Sequence, residues 1–144
     1  FDVPGTPDVP LYALSALAAS DVRPDRVIDG MLANVLAQQS DAGGWMSPLG
    51  SVARPPIEDG WITDAALGIA ALKQFGPPGR DDIKERINRA TRWLQSTKAT
   101  TGDDRNMQLI GLKAAGVDSR VLQRLANAIV DLLYVSLDPR VRRA

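Results

Sequence analysis

The sequence contains no cysteine and no histidine. Without thiols there are no disulfides and no thiolate nucleophile. Without imidazole the commonest general base and the commonest zinc ligand are missing together, and a serine nucleophile lacks its usual base. Neither sign of charge is in excess: 17 basic residues face 17 acidic ones. Nothing therefore draws a phosphate backbone, and nucleic acid is not an expected partner. No apolar run approaches the ~18 residues that a transmembrane helix needs. Aromatics are scarce, with three Trp, two Tyr and two Phe. No phosphate-cradling loop, catalytic triad or metal-ligand spacing is present. The expectation is no catalytic residue, no metal site and no cofactor. The opening "FDVPGTPDVP" has no initiating Met and reads as a trimmed chain or as the inside of a longer protein.

What the chain does have is helical periodicity. The 144 residues suit one domain with a sizeable core. Residues 9–20 place Leu11, Leu14 and Leu17 on one stripe. Residues 24–39 bury Val27, Ile28, Met31, Leu32, Val35 and Leu36. A loop insertion, about 40–58, holds "SPLGSVARPP", whose prolines and glycines exclude regular structure. A third helix spans about 59–75, stopped by Gly76 and two prolines. The fourth, about 81–97, pairs an Ile83, Ile87, Ala90, Leu94 stripe with a solvated face of Lys84, Glu85, Arg86, Arg89 and Arg92. Helices at about 103–115 and 118–136 follow.

Repetition organises these segments. "LKQFG" (Leu72 to Gly76) matches "LKAAG" (Leu112 to Gly116), and "LAASD" (Leu17 to Asp21) holds the same place with Asp21 where a glycine should stand. "ANVLAQQ" (Ala33 to Gln39) aligns with "ATRWLQS" (Ala90 to Ser96). The predicted fold is all-α, a single domain over 1–144 built of hairpins at about 9–39, 59–97 and 103–136. Such units cannot bury their faces alone and must stack.

"QQSDAGGW", Gln38 to Trp45, resembles the QW motif of the squalene–hopene cyclase and prenyltransferase β-subunit repeat family, and "EDGW" (Glu58 to Trp61) repeats its Gly-Trp element. The resemblance implies an α/α toroid, here a partial one, whose inner helices are the first, third and fifth. It assigns Gln38, Gly43, Gly44 and Trp45 to a structural clamp. The glycines permit a tight turn, the amide bonds orphaned backbone groups, and the ring covers a junction between hairpins. The cyclases of that family protonate an alkene through Asp-x-Asp-Asp, and its prenyltransferases hold zinc through Asp, Cys and His. This chain has none of these sets.

The resemblance also places the starts of the inner helices at the mouth of a concavity. Trp61, Asp59, Asp64, Glu58 and Asp104 are the candidate ligand-binding residues there; the competing reading of the acids is helix capping. The expected function is a non-catalytic module, part of a larger protein, that binds an apolar small molecule or another protein domain. The alternatives are a fragment of a cyclase- or prenyltransferase-like enzyme and a purely structural repeat scaffold. Too few hairpins to close a toroid also predicts an open end through which the chain self-associates.

Overall fold

The computed structural model describes residues 6–45, 53–54, 57–58 and 60–127. Among these residues five helices are complete: α1 (Asp8–Ala19), α2 (Arg26–Gln38), α3 (Trp61–Phe75), α4 (Asp81–Ser96) and α5 (Gly102–Ala115). A sixth, α6, is helical from 119 to 127; the predicted remainder of that helix lies outside the described residues. The all-α class holds.

The turn chemistry at each boundary is readable. Asp25 caps α2 by accepting from the backbone N–H of Val27 and of Ile28, each at 2.9 Å. Thr101 and Asp104 form a reciprocal capping box on α5. The three repeated helix stops look alike in sequence but work differently. Gly116 and Asp21 are both left-handed, with φ of 86° and 51°; Asp is one of the few non-glycine residues that tolerate this. Gly76 keeps φ −62°. It is required because a Cβ there would run into the Leu72 carbonyl.

The helices form two layers. In one, α1, α3 and α5 lie side by side, with α3 touching both neighbours. In the other, α2 packs on α1 and α3, and α4 packs on α3 and α5. α3 and α5 thus each nest against the hairpin that precedes them. The core collects Leu11 and Leu14 from α1, Ile28, Leu32 and Val35 from α2, Ile69 and Leu72 from α3, Ile87 and Leu94 from α4, and Leu112 from α5. Small residues set the spacing of the first layer. A methyl on Gly111 of α5 would sit 2.8 Å from both Cα and Cβ of Ala66 on α3.

Three expectations need correction. The loop insertion is not wholly irregular: Ala53–Arg54 (β1) pairs antiparallel with Ile57–Glu58 (β2), in the register Ala53↔Glu58 and Arg54↔Ile57. Pro55 and Pro56 fall between the paired residues and remove no ladder donor from them. Val27 is not on the buried side of α2 but exposed, with Ile28, Leu32 and Val35 making the core face. On α4, Arg86 and Arg89 are not simply solvated, since both reach back to the end of α2.

Candidate functional site

The opening motif folds as a tight loop after α2. The backbone N–H of Ser40 donates to the Gly44 carbonyl and that of Gly43 to the Ser40 carbonyl, both at 2.9 Å. Gly43 has φ 109°, and a Cβ on it would meet the Arg89 carbonyl oxygen at 2.5 Å. Gly44 lies flat under the Trp93 ring, where a Cβ would approach Cε2 to 2.9 Å. The loop delivers Trp45 into the centre of the molecule at 0 % exposure. Its Nε1–H donates to the Val35 carbonyl at 2.7 Å. Its six-membered ring rests on Gly68 of α3, where a Cβ would come within 2.7 Å of Cζ3. One ring therefore joins α2 to α3, and a glycine on α3 makes room for it.

The amide that completes this clamp is Gln39, one residue beyond the assigned Gln38. Gln39 Nε2 donates to the Gly43 and Arg86 carbonyls, both at 3.0 Å. Its Oε1 accepts from Arg86 Nη1 at 3.4 Å and Arg89 Nη2 at 3.5 Å. Arg86 Nη1 also donates to the Leu36 carbonyl at 2.7 Å, satisfying the end of α2. Gln38 instead donates to the Asn34 side chain one turn back on its own helix, at the surface. The end of α4 has a comparable device: Gln108 of α5 donates to the carbonyls of Leu94 and, at 2.9 Å, Thr97.

The residues assigned to the mouth divide. Trp61 opens α3 and is 42 % exposed, behind Gly60, which offers no side-chain cap. Asp64, one turn on, is fully buried and partnered. Asp104 is near this end of α3, because a Cβ on Gly60 would lie 3.9 Å from its Oδ1. Asp104 Oδ2 accepts from Thr100 N at 3.0 Å, Thr100 Oγ1 at 2.8 Å and Thr101 N at 3.0 Å. Partial burial pushes this carboxyl up, but those hydrogen bonds outweigh it and hold it below the usual Asp range. Asp104 is thus committed to its cap. Glu58 ends β2, and Asp59 lies outside the described residues. Residues 65–72 of α3 are mostly packed inside. Only Leu67 and Ala70 are half-exposed; the others are buried against neighbouring helices. Among the described residues no acidic group of three is placed to hold a metal ion.

Among the described residues, an open groove lies elsewhere. Between α5 and α6 runs a groove of about 340 Å³, floored by Leu109, Ile110, Leu122 and Ala126, with Lys113 and Gln123 on its sides. Ile110 is 53 % exposed. The signal in the sequence is the adjacent pair Leu109-Ile110, since neighbours 100° apart on a helix cannot both serve a narrow stripe.

No family model, curated protein or solved structure matches this chain.

Proposed function

We propose that the protein is a non-catalytic module, a partial array of the α/α-toroid type, that binds a helical partner in the groove between α5 and α6. The observation that carries this reading is the groove itself: an apolar floor with a half-exposed isoleucine and one cation at its edge. Concave, mostly apolar surfaces with a few polar groups at the rim are what partner helices dock into. The layered order of α1, α3 and α5 against α2 and α4 supports the array. Burial of Asp64 and commitment of Asp104 to its cap favour structural roles for those acids over binding.

The test is an NMR titration with a helix-stabilised peptide carrying the α3 sequence, Trp61 to Phe75. Shift changes should cluster at Leu109, Ile110, Leu122 and Ala126 and disappear in Ile110→Glu. Changes confined to the Trp61 end of α3 would move the site back to the mouth. Conversion of squalene or a prenyl diphosphate, lost in Asp64→Asn, would overturn the non-catalytic reading.

A further inference from the structure

The repeat register picks out one equivalent position in each helix of the first layer. In α5 the residue before Leu112 is Gly111, which sits on Ala66 of α3. In α3 the residue before Leu72 is Ala71, buried in the layer that contains α1. In α1 the residue before Leu17 is Ala16, and it is exposed. Val9, two turns earlier on the same flank, is 50 % exposed. This flank of α1 is mostly apolar: Val9, Ala16 and Ala19 are exposed along it, Tyr12 and Ala13 are half-buried, and the one charge beside them is Asp8 in the first turn. α1 therefore presents the surface with which α3 and α5 dock onto the hairpins before them.

The receiving surface recurs as well. α3 nests against α1 and α2, and α5 nests against α3 and α4. The next place in this series is the groove between α5 and α6. Ile110, half-exposed in the groove, takes the register of Ala70 on α3. Charge agrees with the fit. A helix docked there parallel to α5 brings its C-terminal end to Lys113. α1 has no basic residue in its last turn and is followed by Asp21. A cation beside the negative end of a helix is favourable.

We infer that the groove between α5 and α6 takes α1 of a second copy of this chain, head to tail, continuing the helix-on-hairpin packing across the molecular boundary. The inference rests on the groove being a binding surface and names its occupant. Such a contact uses two different patches, so it propagates into a ring or a chain instead of ending at one symmetric pair.

Two surface variants test it by sedimentation analysis at about 0.1 mM, a concentration that detects affinities in the micromolar range. Ala16→Glu blocks the α1 flank and Ile110→Glu blocks the groove. Lys113→Glu replaces the second if Ile110→Glu fails to reach the wild-type thermal midpoint. The wild type should sediment as a dimer or larger, and each variant alone should lose self-association by at least about tenfold. Mixed together, the two variants should form a one-to-one dimer and stop there, because one intact flank then meets one intact groove. A variant that still self-associates, or a mixture that stays monomeric, overturns the head-to-tail contact. A monomeric wild type that still takes the α3 peptide at Ile110 overturns self-pairing and leaves the groove's role standing; loss of both sinks both.

Discussion

Removing the Trp45 ring should cost about 3–5 kcal/mol, as for other fully buried large aromatics. The loss combines its packing on Gly68 with the hydrogen bond to Val35. A thermal midpoint within a degree or two of wild type for Trp45→Ala would contradict the clamp. The neighbouring glutamines separate its polar half. Gln39→Ala removes the donor that bridges the Gly43 and Arg86 carbonyls and should cost about 1–3 kcal/mol. Gln38→Ala removes one surface hydrogen bond and should fall within about 0.5 kcal/mol of wild type. Chemical denaturation of the two variants decides, and equal effects would contradict the assignment. Asp104 gives a pH-dependent case. Its folded carboxyl titrates below its unfolded value, so its contribution is fully present above about pH 3.9 and is lost as pH falls through the lower folded value. The stability gap between wild type and Asp104→Asn should accordingly narrow in acid; a gap unchanged down to about pH 2 would contradict it. The clamp's glycines and tryptophan were legible in the sequence because turn formation and ring burial leave strong residue preferences. Which of two adjacent glutamines points inward was not. That depends on where α2 ends, and Gln39 leaves helical backbone with ψ 124°.

At the scale of elements, the close approach of α5 to α3 through Gly111 is the feature that sequence periodicity saw least. A glycine inside a helix usually weakens it by about 1 kcal/mol relative to alanine. Here a Cβ would meet Ala66 at 2.8 Å and Leu94 Cδ1 at 2.7 Å. Gly111→Leu should therefore destabilise by about 1–3 kcal/mol through overpacking, despite leucine's better helix propensity. Calorimetry checks the sign, and a stabilised variant would mean that the layer is looser than described. The first five helices were legible from apolar spacing and from Pro and Gly at their ends, to within one or two residues. The short β1–β2 ladder was hidden by the prolines around it. The tertiary duties of Arg86 and Arg89 were hidden because a charged face at helical spacing reads as solvated until the end of α2 is placed against it.

At the scale of the whole molecule, α3 is the hub: it touches α1, α2, α4 and α5, receives the Trp45 ring at Gly68, and buries ten of its residues. The hairpins are therefore not independent units. The repeat order could be read from the sequence, because matching Leu-Lys-x-x-Gly ends fix the register. Which flanks remain open could not, because exposure at Ile110 and Ala16 depends on which helices the layer contains. Native-state hydrogen exchange tests the hub most directly, since amides exchange according to the free energy of the opening that exposes them. The amides of Ala65 to Leu72 should be the slowest in the chain, exchanging through global unfolding, with those of α1 and α6 opening at lower cost. Exchange in the middle of α3 as fast as in α1 or α6 would contradict a single array built around that helix.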